Sequence, residues 1–89
     1  MTDTILRFTI TVAPGVTLHL RRHPFLVTAT LVADTVPLCF AQARLESVRF
    51  EHGHLACLYL DTTVFVLPGD QLAEGAKCLS LPLTNGPRA

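Results

Sequence analysis

The chain has 89 residues, seven Lys plus Arg against seven Asp plus Glu, and a formal net charge of zero with histidine neutral. It is 49% hydrophobic and only 16% charged, below the ~25% charged share usual in soluble domains. That balance predicts one domain with a modest core and surplus apolar surface. It argues against a polybasic nucleic-acid binder and against an acidic nucleic-acid mimic, both of which carry strong charge of one sign.

Residues 4–12, TILRFTITV, alternate as a half-buried strand does, with Leu6, Phe8, Ile10 and Val12 on one face and Ile5, Arg7, Thr9 and Thr11 on the other. Residues 16–21, VTLHLR, repeat the pattern with Val16, Leu18 and Leu20 inward. A hairpin with a three-residue loop at 13–15 sets Val12 against Val16, Ile10 against Leu18 and Phe8 against Leu20, so apolar meets apolar and Gly15 takes the left-handed position. The outward pairs are then Thr11–Thr17, Thr9–His19 and Arg7–Arg21. Like charges opposed on a sheet gain nothing for folding. Arg7, His19 and Arg21, with Arg22 and His23 at the strand end, therefore form the candidate partner-binding patch. The alternative is a set of solvated arginines splayed apart at a strand end.

Pro24 ends that strand. Residues 25–33, FLVTATLVA, predict a third strand with Phe25, Val27, Ala29 and Leu31 on its apolar face. Residues 34–47 support two readings. Asp34 or Thr35 suits a helix cap, Pro37 a first turn, and Ala41 to Glu46 are good helix formers; Cys39, Ala41, Ala43 and Leu45 also alternate. The expectation is a short helix around residues 35–44.

Residues 46–51 and 54–60 predict a hairpin turning at His52-Gly53, with Phe50 opposite Leu55 and Val48 opposite Cys57. Leu55, Cys57 and Tyr59 then share one face, and Ala56, Leu58 and Leu60 the other. A turn at Asp61-Thr62 leads into residues 62–67, TTVFVL, placing Leu58 beside Phe65 and Tyr59 beside Val64. Strands apolar on both faces are central or lie at an interface. Leu58, Leu60, Phe65 and Leu67 are the candidate apolar interface, and Cys57 is an expected core residue. After Pro68-Gly69-Asp70, one helical turn around residues 70–75 and a last strand over 77–83 are expected. Pro82 places that strand at an edge. Residues 1–83 form the expected domain, and residues 84–89 a flexible tail.

Chemistry-bearing patterns are sparse. Cys39, Cys57 and Cys78 are odd in number and form no CxxC pair, which predicts reduced thiols in a cytoplasmic protein. The N-terminus lacks a basic segment before its apolar residues, and no run approaches the ~20 apolar residues of a membrane span. His52 and His54 have the HxH spacing of paired metal ligands, but no companion spacing supports them, so neither metal nor cofactor is expected. Ser47 and Ser80 lie in no nucleophile elbow, and the glycines form no phosphate loop. Single-strand nucleic-acid binding needs aromatic platforms beside basic residues; Phe8 and Phe50 are expected to point inward and Tyr59 to lie in a buried strand.

The expected architecture is a small β-rich domain, all-β or α+β, of six to seven mostly antiparallel strands. These form a barrel-like roll or two-layer sheet with at most one or two short helices, around 35–44 and 70–75. The expected function is a non-enzymatic protein-binding module acting by surface complementarity: an adaptor, a subunit, or a small inhibitor of a phage or mobile-element type, such as a host-defence inhibitor. Its expected partners are another protein or a second copy in a homodimer, with no membrane role. The alternatives are a small nucleic-acid-binding β domain using the local Arg/His patch, and a small metal-binding protein or enzyme.

Overall fold

The computed structural model describes residues 4–85. Four strands, β1 (Leu6–Ala13), β2 (Val16–Arg22), β3 (Leu26–Ala33) and β4 (Val36–Arg44), form an antiparallel meander in chain order. The alternation read from the sequence sets the β1–β2 register: Arg7 pairs with Arg21, Phe8 with Leu20, Thr9 with His19, Ile10 with Leu18 and Thr11 with Thr17. The turn differs from expectation. Ala13 pairs with Val16 across Pro14-Gly15, and the register shifts between Thr11 and Ala13. A bulge at Val12 absorbs the odd residue, so a two-residue turn coexists with the apolar register. Gly15 has φ +76°, and a Cβ there would lie 2.8 Å from Asp34 Oδ1.

The expected helix around residues 35–44 is instead β4, an edge strand. Ala41 pairs with Ala29, and Ala43 with Val27. Both alanines are buried, so the weaker alternating pattern is the one that fits a core face. Pro37 sits where the register shifts opposite Leu31 and Val32, at an edge and a bulge, where a residue without an N–H is tolerated. Helix preferences of a few tenths of a kcal/mol per residue are outweighed by a ladder of eight pairs with Ala41 and Ala43 buried. A 3-10 turn at Leu45–Ser47 leads into the second sheet.

That sheet contains β5 (Val48–His52), β6 (Ala56–Leu60), β7 (Thr63–Leu67) and β8 (Leu83–Asn85), ordered β7-β6-β5-β8, with α1 (Gly69–Leu79) between β7 and β8. β5, β6 and β7 are antiparallel neighbours, and β8 runs parallel to β5. The β6–β7 register agrees with the sequence reading, with Leu58 opposite Phe65 and Tyr59 opposite Val64. The β5–β6 register does not: Val48 pairs with Leu60, Phe50 with Leu58 and His52 with Ala56. The loop is three residues, Gly53 to Leu55, so Ala56, Leu58 and Leu60 face the core instead of Leu55, Cys57 and Tyr59. Leu55 is consequently exposed. Cys57 remains buried, on the opposite face from the one expected.

The candidate apolar interface is corrected in the same way. Leu58, Leu60 and Leu67 are buried in the chain's own core, and Phe65 packs against it. The first sheet and the helix cover that face, so it is not free for a partner. The helix is also longer than the expected turn. Leu72, Ala76 and Leu79 recur at helical spacing and are buried, and this face captures Leu79 from the expected strand. Ser80 ends the helix in a left-handed conformation (φ 53°), with Leu81 N–H donating to the Ala76 carbonyl at 2.9 Å. The last strand is therefore only Leu83–Asn85. It carries the domain past the boundary expected at 83; residues 86–89 of the expected tail lie outside the described residues.

The inner faces of the two sheets and α1 share one core centred on Ile10, Leu18, Leu20, Phe50, Leu58, Leu60, Leu72 and Leu79. Two four-stranded layers, not closed into a barrel, result. Gly75 lets the helix approach closely: a Cβ there would stand 3.1 Å from the Phe8 ring and 3.3 Å from that of Phe50. Among the described residues, no helix is long and apolar enough to cross a membrane.

Candidate binding surface on the first sheet

Pairing across four strands arranges the outer face of the first sheet in rows. One row is Arg7, Arg21, Thr28 and Gln42; the next is Thr9, His19, Thr30 and Phe40. Arg44 follows Gln42 on the same face of β4. Arg7, His19, Arg21, Phe40, Gln42 and Arg44 are exposed, and these rows contain no Asp or Glu. Thr9 Oγ1 lies 3.4 Å from His19 Nδ1. Among the described residues the ion pair present, Arg49 with Glu51 at 3.9 Å, belongs to the other sheet.

The hydrogen-bond phase sharpens this arrangement. His23 N–H donates to the Leu26 carbonyl at 2.8 Å, which makes Arg22–Val27 a non-hydrogen-bonded pair. By alternation, Arg21 directs its backbone groups toward Thr28 on β3. Arg7–Arg21 is then also non-hydrogen-bonded, the geometry in which facing Cα atoms stand only about 4.5 Å apart. Two like charges thus sit at the closest cross-strand spacing with no acid among the described residues of the face.

The sequence-derived patch divides here. Arg7, His19 and Arg21 come together as expected. Arg22 does not join them, because adjacent strand residues point to opposite faces. Its Nη1 donates to the Leu79 carbonyl at 2.9 Å and to the Ser80 carbonyl. It therefore caps the C-terminal end of α1, where the helix dipole favours a cation. His23 lies beside it, lining a cleft of about 380 Å³ with Thr4, Leu6, Arg22, Pro24 and Ser80. Phe25, expected on the apolar face, is 83% exposed.

Sequence reasoning missed Phe40, Gln42 and Arg44, because residues 35–44 read as helix. The signal was present in the alternation of Ala41 and Ala43 with these three. β4 is also an open edge. Leu45 N–H donates to the Phe25 carbonyl at 3.3 Å, so Leu26–Arg44 is a non-hydrogen-bonded pair, and so by alternation are Thr28–Gln42 and Thr30–Phe40. The backbone N–H and C=O groups of Phe40, Gln42 and Arg44 therefore point away from β3. Val36, Leu38 and Phe40 on this strand are 57%, 58% and 61% exposed. A second cleft, of about 370 Å³, opens at the Arg44 end and is lined by Leu26, Gln42, Ala43, Arg44, Ser47 and Asp61.

The outer face of the second sheet carries exposed Val64 and Val66 and an Arg49 guanidinium 4.4 Å above the Tyr59 ring. A hydrogen bond to Glu51, and that carboxylate's charge, hold the Tyr59 hydroxyl above the usual tyrosine range. Partial desolvation, with a hydrogen bond to Glu74, raises the Cys78 thiol. His52 and His54 are exposed around the β5–β6 loop. Among the described residues, no group of three or more His, Cys, Asp or Glu could hold a metal ion. Comparison with protein-family models, curated proteins and solved structures finds no match.

Proposed function

We propose that the chain is a non-enzymatic protein-binding module, an adaptor, subunit or small inhibitor, that takes up a partner strand along the β4 edge. The observation that carries this reading is the open edge itself. Backbone groups of Phe40, Gln42 and Arg44 face outward, beside the exposed side chains of Val36, Leu38 and Phe40. Exposed apolar edges recruit another strand, and soluble proteins usually blunt them with charge or cover; Arg44 is the sole charged residue of β4. Strand addition satisfies the free backbone groups and buries the apolar strip together. The incoming strand belongs to a second copy, giving a homodimer, or to another protein.

Gln42→Pro tests the reading. The Gln42 N–H faces away from β3, so proline there leaves the β3–β4 ladder intact while removing an outward donor. Light scattering across a concentration series, and capture from the native host, give the association readout. Association is expected, with slowed hydrogen exchange at the Phe40, Gln42 and Arg44 amides, and Gln42→Pro should abolish it without loss of fold. A monomer whose captured partners leave these amides in fast exchange overturns the proposal.

A further inference from the structure

We infer that the outer face of the first sheet is a second site, centred on Arg7 and Arg21 and sharing β4 with the edge proposed above, that binds single-stranded nucleic acid across the strands. The first ground is charge. Arg7 and Arg21 form a close, like-charged cross-strand pair, and Arg44 adds a third cation on the same face, which carries no acid among the described residues. Such an arrangement is unfavourable for the sheet alone and complementary to a polyanion. Asp61, in the β6–β7 turn, lines the same cleft as Arg44; Arg7 and Arg21 lie two to three strands away.

The second ground is what stands beside the charge. The adjacent row carries the His19 ring and, at its far end, the exposed Phe40 ring. With strands about 4.8 Å apart and alternate residues about 6.8 Å apart along each strand, the face spans roughly 14 Å from β1 to β4. A strand of nucleic acid crossing it places phosphates along Arg7, Arg21 and Arg44 and bases against His19 and Phe40. Thr9, Thr28, Thr30 and Gln42 supply neutral hydrogen-bonding groups between them. Basic side chains tracking the backbone with aromatic platforms beneath the bases are the two components of sequence-tolerant single-strand binding. An acidic protein surface would engage the arginines and leave the aromatic row without a role.

The probe is a fluorescently labelled oligothymidylate of roughly fifteen nucleotides, a length that covers one small β-domain site. Poly-L-glutamate and a duplex of equal length serve as competitors. Binding to the oligothymidylate is expected in preference to both. With three phosphate contacts, the log–log slope of affinity against salt should be about −2, roughly a twentyfold loss from about 50 to 200 mM. Arg7→Thr with Arg21→Thr should bring the slope close to −0.7. Phe40→Ala should weaken binding roughly five- to a hundredfold while leaving the slope unchanged.

Absence of binding at about 50 mM salt overturns the inference. So does equal competition by poly-L-glutamate, which assigns the face to an acidic protein, or indifference to Phe40→Ala, which removes the base-stacking platform from the site. Arg7 and Arg21 lie on β1 and β2, so their replacement does not touch the β4 edge. Strand-edge association that persists in that double variant separates failure here from failure of the edge proposal.

Discussion

Arg21 and Arg22 are adjacent, share one side-chain type, and should respond oppositely to substitution. Arg22→Met keeps most of the aliphatic stem and deletes the guanidinium that donates to the Leu79 and Ser80 carbonyls. The Leu79 carbonyl is part-buried and lies at the last turn of α1, where the helix supplies no partner. A hydrogen bond from a charged donor contributes about 1.5–3 kcal/mol, and the favourable dipole position is part of that figure rather than an addition to it. A loss of about 2 kcal/mol should lower the melting temperature of a domain this size by roughly 8–16 °C. Arg22→Lys should fall between, since a single ammonium nitrogen can donate to both carbonyls as Nη1 does, but from a shorter and more strongly hydrated head group. Arg21→Thr removes one member of an exposed like-charged pair and should change stability by less than about 0.5 kcal/mol, with any shift toward stabilisation at low salt. Urea unfolding of the three variants beside the parent measures all of this. If Arg22→Met unfolds within about 0.5 kcal/mol of the parent, or if Arg21→Thr costs as much as Arg22→Met, the helix-capping assignment and the division of the cluster between two faces are both refuted.

Three further outcomes follow from the packing and the titrating groups. Gly75→Ala should destabilise by about 1 kcal/mol despite a comparable gain in helix propensity, because the new Cβ stands 3.1 Å from the Phe8 ring and 3.3 Å from that of Phe50; a raised melting temperature would show that these rings yield freely. Tyr59 is the chain's one tyrosine, so alkaline absorbance titration reports it alone: ionisation should occur above the ordinary tyrosine range and move down in Glu51→Gln, since the carboxylate opposes phenolate formation. With a thiol reagent under native conditions, exposed Cys39 should react quickly and buried Cys57 slowly. Cys78, exposed but raised, should react more slowly than Cys39 at neutral pH and gain on it in Glu74→Gln. Fast labelling of Cys57 without unfolding would contradict its burial.

The sequence by itself determined the register of two hairpins, β1–β2 and β6–β7, but not that of the equally local β5–β6 hairpin, where residues 55–60 are apolar on both faces and two registers both oppose apolar to apolar. Alternation in residues 4–12 and 16–21 admits one register that opposes apolar to apolar, and a single bulged residue at Val12 reconciles it with the turn. Thr63–Leu67 pairs back on Ala56–Leu60 across Asp61-Thr62 for the same reason. In these hairpins the side-chain period is local and fixes the register once apolar must face apolar, even where the turn itself differs, as at Pro14-Gly15. That reasoning was also sufficient to bring Arg7, His19 and Arg21 together.

Only the tertiary structure decided the rest. Residues 36–44 carry helix-forming residues and an alternating pattern at once. The choice went to the strand because β3 offered a ladder and the core accepted Ala41 and Ala43. The same choice placed Phe40 and Arg44 on the outer face. Leu79 fits a strand alternation with Leu81 and Leu83, yet it closes the stripe of α1, with Leu72 and Ala76, that is buried in the core shared with the two sheets. Arg22 is distinguished from Arg21 by two carbonyls 57 and 58 residues further along the chain. Local preferences differ by tenths of a kcal/mol per residue, whereas a buried side chain or a charged hydrogen bond contributes one to several. Where two local patterns are nearly balanced, the distant partner sets the outcome.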